Sequence, residues 1–446
     1  MTDTYQNPPD VYEFQCPDAK FLVMNVSSLG FGAVLNTVVL FGILVSLRTD
    51  RVPIFWGEEK PWLLAPRECP HGSQDFQCYF LPLSPCVPSK AEIYNATRYG
   101  TNDNKPQQRK LRQMMKLPDD INDDRVVFVD IGMLPAQFRS LEVAADIGNI
   151  VIETSRELMQ AWWANRNKCD GTDTLSSAEN IQLNRSVSTI EKALALIDDR
   201  IQRNETIERI GFEAVHVYML RPNPRYSRIL EQETTDFLDD LDGNFEQAVG
   251  LPIRGSDKCI GESTCLSFET YMDLAKDHYI HHASLPSSPF NPRKISTVSP
   301  RLVITTEDPN VFRKSVAYRN NTRFPFDIVL NENDNLQGTG KPTRGESFDG
   351  NATMVSSLVS LAMQLVPGTV YGNCCSNWHK VMHLLVDAGL SAMPHPNFVC
   401  LNEAPMAFDN PKYRICCKWG ATHKGCKQVY EDFQNSKPKK RKIRKK

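Results

Sequence analysis

The chain has 446 residues, enough for two or three domains. Hydrophobic residues are 41% and charged residues 23%, which excludes a mostly disordered chain and a polytopic membrane protein. The net charge is −2, but residues 437–446 (KPKKRKIRKK) hold eight basic groups, so the rest of the chain carries −10. An acidic body argues against nucleic acid as a partner of the folded part.

Residues 21–47 are uncharged and long enough to suggest a single membrane span. The segment is not uniform, however. Residues 21–26 read as a buried strand, 27–32 as a Gly-rich turn, 33–47 as a buried helix and 52–55 as a second strand. A βαβ unit is therefore expected, with a single-pass membrane protein as the alternative. Arg48 and Arg51 follow the segment, so the positive-inside rule would place the large domain in the cytosol. That suits thirteen cysteines badly, several of them in Pro-rich sequence. The secretory pathway, with the Golgi lumen as compartment, is the expected location. Asn-x-Ser/Thr sites at Asn25, Asn95, Asn184, Asn204, Asn320 and Asn351 agree with it but are individually weak.

Residues 61–90 are rich in Pro, Cys and aromatics, and Cys69, Cys78 and Cys86 read as loop staples. Residues 96–124 are polar and predict a surface loop, and 126–130 a strand. Helical spacing appears at 140–165, 186–203 and 226–241, the last as a link between two halves. Beyond it the alternation is cleaner. Strands are predicted at 249–254, 302–306, 326–330 and 369–371. Helices are predicted at 266–277, from about 309, at 354–365 and at 377–388. Alternating strands and helices imply a doubly wound parallel sheet, with ligands at the strand carboxyl ends. Residues 396–436 hold four cysteines and predict a disulfide-held appendage. The expected division is 1–244, 245–395, 396–436 and a basic tail at 437–446.

The most informative stretch is 249–272, VGLPIRGSDKCIGESTCLSFETYM. A buried strand runs into Arg254, Gly255, Ser256, Asp257 and Lys258. Charges at the end of a parallel strand lie where such a fold holds its ligand, and an Arg there can fork onto a diphosphate. A helix cap with a surface ion pair is the plainer reading of the same residues.

These residues carry a resemblance. IRGSDK, then GES and FETYM, resembles the first motif of the fucosyltransferases related to the core α1,6-fucosyltransferase of N-glycans. The nodulation and protein O-fucosyltransferases are more distant relatives. The opening strand, glycine turn and helix at 20–55, FLPLSPC, YMLRPNPRYSRILEQE, LVITTEDPNVF and CCSNWHKVMHLLV are similar to further family segments in the same order, over roughly 16–390. The resemblance implies an α/β, GT-B-like architecture of two Rossmann-like halves facing a cleft. It implies GDP-fucose as donor substrate, a glycan or glycoprotein acceptor, and inverting transfer without a metal or other cofactor. It places Arg254 on the family's diphosphate-binding Arg, Asp257 and Lys258 on its motif acid and base, and Glu262 on the candidate general base. Tyr271, the acidic pair Glu307 and Asp308, and Ser376, a β-phosphate contact, complete the implied site. The chain departs from the pattern at Pro252, where the family often has His, and at Gly255, where a second Arg often follows. Serines stand at 356, 357 and 360, where a carboxylate reading guanine is expected.

Three features compete with this reading. His379 and His383 have zinc-site spacing, but Lys380 stands where HExxH has Glu. Asp239, Asp240 and Asp242 resemble a metal-binding DxD or a solvated acidic face. The basic tail suits a nuclear signal, a membrane-surface patch or a solubilising end. Catalytically altered relatives and a membrane-anchored interaction protein remain the rival classes.

Overall fold

The structure, a computed structural model, describes residues 18–27, 30–37, 42, 46, 49–59, 61–66, 69, 74–81, 83–84, 86–99, 124–130, 216, 219–240, 247–255, 265–284, 300–320, 326–332, 350–374, 376–387 and 397–401. The helices expected at 140–165 and 186–203 lie outside them, as do residues 402–446.

The first half is a four-stranded parallel sheet ordered β2-β1-β4-β3. Its strands are β1 (Lys20–Asn25), β2 (Arg51–Phe55), β3 (Thr97–Tyr99) and β4 (Val126–Asp130). Alternation sorts their side chains onto two faces. Phe21, Val23, Val126 and Phe128 pack with Ile93 of helix α2 (Lys90–Tyr94). Leu22, Met24, Val127 and Val129 join Val34 and Leu35 of helix α1 (Phe31–Thr37) in the larger core. Residues 21–47 are thus not one helix. Their first part is the buried strand β1, and no described helix is long and apolar enough to cross a membrane. The hydrogen bonding of β1 to two neighbouring strands rules out one continuous helix over 21–47.

Helix α2 carries a capping box, Ser89 with Glu92, at its start. Strand β3 falls at the start of the predicted surface loop. The buried Asn25 side chain accepts the Ser27 N–H at 2.9 Å, so its sequon cannot carry a glycan.

Helix α3 (Pro224–Asp240) follows. Asn223 ties its start to the first half, donating from Nδ2 to the Cys78 carbonyl at 2.8 Å. Tyr226 reaches the second half through a 2.6 Å hydrogen bond to Asn351 Oδ1. Asp236 and Asp239 sit on an exposed face of α3, as a solvated acidic stripe would.

The second half is a five-stranded parallel sheet ordered β7-β6-β5-β8-β9. Its strands are β5 (Val249–Pro252), β6 (Arg301–Thr305), β7 (Asp327–Leu330), β8 (Thr369–Gly372) and β9 (Asn397–Cys400). Helices α4 (Phe268–Ser284), α5 (Pro309–Arg319), α6 (Gly350–Gln364) and α7 (Asn377–Asp387) connect them. Strands β5, β6 and β7 step one way and β8 and β9 the other. The switch point therefore lies between β5 and β8. Strand β9 extends this sheet past residue 395 into the stretch read as a separate appendage, because Phe398 is apolar enough to be buried at its edge. A disulfide joins its Cys400 to Cys374, and another joins Cys69 to Cys78.

The halves share one core. The N-terminal turns of α1 and α7 meet, with the Phe31 and Trp378 rings 5.3 Å apart. Leu22, Met24, Val370, Val381 and Leu385 belong to the same buried cluster. Two parallel sheets with flanking helices make the molecule α/β.

Candidate active site

Strand β5 ends at Pro252, and Ile253 continues its alignment by donating to the Thr305 carbonyl at 2.9 Å. Arg254 and Gly255 follow at the carboxyl end of the central strand. Strand β6 ends beside them at Thr305, which places Thr306, Glu307 and Asp308 in the adjoining turn.

The Glu307 carboxylate ties the two strand ends together. Its Oε2 lies 3.2 Å from Arg254 Nη1, and its Oε1 accepts the Gly255 N–H at 3.1 Å. Both side chains are mostly covered, which strengthens the pair relative to a surface bridge. Asp308 has a different task. It caps α5, accepting the Asn310 N–H at 2.8 Å ahead of Pro309. It also fills the space over Gly255: a Cβ at 255 would lie 2.2 Å from Asp308 Oδ2. An Arg side chain cannot stand at 255 with Asp308 where it is.

Tyr271 comes from α4 and is buried. Burial raises its phenol pKa far above the usual value, and the nearby Glu307 charge adds to the rise, so the group is a neutral phenol.

On the other side of the switch point, Asn373, Cys374 and Ser376 lie between β8 and α7. Ser376 opens the helix, its carbonyl accepting the Lys380 N–H at 3.1 Å. A serine here ordinarily spends its hydroxyl on the first helical turn. The Ser376 hydroxyl is fully buried and has no hydrogen-bond partner among the described residues. His379 lies one turn on. Its Nδ1 accepts the Asn373 N–H at 2.7 Å, so the neutral ring carries its proton on Nε2. Burial, and after it the positive charge of Arg254, push its pKa down to about 3.

Arg254, Tyr271, Glu307, Asp308 and Ser376 thus all sit at the carboxyl ends of β5, β6 and β8 or on the helix beside them. Asp257, Lys258 and Glu262 lie outside the described residues. His379 was not among the residues expected at the site. The spacing Ser376-x-x-His379 was the available signal, since it puts both in one helical turn. The zinc pairing of His379 with His383 is excluded by the Asn373 bond, which uses the His379 lone pair. His278 is half-buried and bonds Tyr371 through Nδ1 at 2.9 Å. In place of a carboxylate on α6, Ser360 Oγ and the Ser356 carbonyl both accept from Asn331 Nδ2, at 2.8 and 3.2 Å.

Fold and site together define an α/β protein whose strand-end site, at a topological switch point, holds an arginine paired with a glutamate and a buried serine hydroxyl. No protein-family model and no curated protein matches the chain. Among solved structures it is similar to FUT1 of Arabidopsis thaliana, determined as a mutant in complex with GDP. The TM-score is 0.39 at 10% identity, covering 84% of this chain and 71% of that one. It is also similar to POFUT1 in complex with GDP in two crystal structures. Their TM-scores are 0.34 and 0.33 at 12% identity, each covering 85% of this chain and 98% of that one.

Proposed function

We propose that the chain is a fucosyltransferase of the secretory pathway. It moves fucose from GDP-fucose to a hydroxyl of a glycan or glycoprotein, with inversion and without a metal ion. The supporting observations are an oriented guanidinium just after β5 and, just after β8 on the other side of the switch point, a buried hydroxyl that has no partner among the described residues. That combination suits a diphosphate, which accepts hydrogen bonds and brings negative charge. The guanine and fucose parts of the donor come from the sequence resemblance.

In this reading Glu307 aims Arg254. The bond between C1 of fucose and the β-phosphate oxygen lengthens, and charge gathers on that oxygen. Arg254, Ser376 and Lys258 stabilise it. The acceptor oxygen bonds to C1 from the opposite face while Glu262 takes its proton. The cations of the chain neutralise the leaving diphosphate, so the step needs no divalent ion. Asp257, Tyr271 and Asp308 shape the donor pocket.

A second reading is a relative that binds a nucleotide or glycan without turnover. The seating of Gly255 under Asp308 favours it, because it excludes a second Arg from the strand end.

The test is incubation with GDP-fucose and a panel of glycan acceptors, read by mass spectrometry of the products. The proposal expects addition of one deoxyhexose, abolished in Glu262→Ala with GDP binding retained. GDP binding by the parent protein with no transfer to any acceptor would favour the second reading. Full transfer by Glu262→Ala would remove Glu262 as the base.

A further inference from the structure

Strand β9 is the outer edge of the second sheet, and Cys400 ends it. Its disulfide partner Cys374 lies in the turn after β8, with the two Cα atoms 5.3 Å apart. The third member of this cluster is His383 of α7. Its Nδ1 points at both sulfurs, 3.6 Å from Cys400 Sγ and 3.9 Å from Cys374 Sγ. The imidazole is held by stacking on Phe398, with centroids 4.7 Å apart and planes within 12°. The three ligand atoms all lie within 4.8 Å of one another. None of the three side chains is used by the donor site.

We propose that reduction of the Cys374–Cys400 bond converts this cluster into a zinc site, with Cys374 Sγ, Cys400 Sγ and His383 Nδ1 as ligands and a fourth position open to water.

The geometry is close to what zinc needs. Bond lengths of about 2.3 Å to sulfur and 2.0–2.1 Å to nitrogen, at tetrahedral angles, put a sulfur and a nitrogen about 3.6 Å apart. Both nitrogen–sulfur separations are already near that value. Only the two sulfurs must part, from a covalent bond to about 3.8 Å. Two thiolates and one imidazole form a donor set that suits zinc over magnesium or calcium, which prefer oxygen. The stacked Phe398 presets the ring orientation, as outer contacts do for metal-bound histidines.

The conversion balances as thiol–disulfide exchange with a dithiol reductant. One reductant thiolate attacks Cys400 Sγ, the less buried sulfur, and Cys374 departs as thiolate. The second reductant thiol then displaces Cys400 and leaves as a disulfide, having supplied two electrons. Zinc binding releases the remaining thiol protons to water. An oxidising compartment would hold the disulfide and a reducing one the metal form.

The test uses the full chain, reduced under native conditions, with and without zinc. Alkylation of each cysteine is timed by peptide mass spectrometry, and folding is followed by circular dichroism. Zinc is expected to slow alkylation of Cys374 and Cys400 at least tenfold while the oxidised protein takes up no zinc there. In His383→Ala that protection should fall to a few-fold or less. Co2+ should give thiolate charge-transfer absorption that Cys400→Ser loses. Equal alkylation rates with and without zinc would overturn the proposal. So would full protection in His383→Ala, or unfolding on reduction that zinc does not reverse.

Discussion

Glu307 holds Arg254 and Gly255 in one arrangement, one carboxylate oxygen on the guanidinium and the other on the backbone amide. Removing it leaves a largely covered cation and an amide without this acceptor. Glu307→Ala should destabilise the fold by about 1–3 kcal/mol, the usual cost of a buried polar group losing its partner. It should also weaken GDP binding at least fivefold, because the guanidinium loses its aim. Thermal melting and calorimetry read the two effects separately.

Ser376→Ala separates structure from ligand binding more cleanly. The hydroxyl is buried and has no partner among the described residues, so its loss should leave stability unchanged or raise it, by up to about 1–3 kcal/mol. A hydrogen bond to a charged phosphate is worth about 1.5–3 kcal/mol, so GDP affinity should fall about tenfold or more. A marked loss of stability with unchanged affinity would mean that the hydroxyl serves the fold.

Gly255→Ala places a methyl group 2.2 Å from Asp308 Oδ2. The Asp308 side chain or the strand end must shift, and overpacking of this kind costs about 1–3 kcal/mol. Gly255→Ala combined with Asp308→Gly should recover part of the loss. Equal melting temperatures for Gly255→Ala and the parent would show that the site is looser than its geometry.

His379 gives the fold an acid-sensitive group. Its folded pKa is pushed down to about 3, well below the ordinary value near 6.5, so the unfolded chain binds a proton that the native state refuses. Between those values the unfolded state carries more protons, so this group makes stability fall as pH drops from about 6.5 toward 3. Above that window its contribution is level. His379→Gln should flatten this part of a melting-temperature profile against pH.

Much of the fold is legible in the sequence where one residue pattern meets one environment. Residues 21–24 are apolar on both faces because β1 is covered on both sides, and 126–129 repeat the pattern. Helix α2 and strand β3 are not legible. Ile93 is the one apolar side chain α2 buries, and the three residues of β3 are polar or aromatic, so local pattern cannot separate them from a loop. Strand β9 fails for a related reason: NFVC is too short to stand out, and its pairing with β8 is set by the sheet.

The site divides in the same way. Arg254 is legible because a charge after a buried run marks a strand end. The approach of Ser376 and His379 is not, since it depends on β8 lying beside β5 more than a hundred residues earlier. Nor does sequence show that Glu307 and Asp308, adjacent in the chain, do different work, one orienting Arg254 and one capping α5.

The central claim is a diphosphate site built on Arg254. It is tested most directly by calorimetric titration of the protein with GDP and with UDP in EDTA, beside Arg254→Ala. The expected result is preferential GDP binding that persists without divalent ions and falls at least tenfold in the variant. Equal binding of GDP by Arg254→Ala, or no nucleotide binding by the folded parent protein, would contradict it.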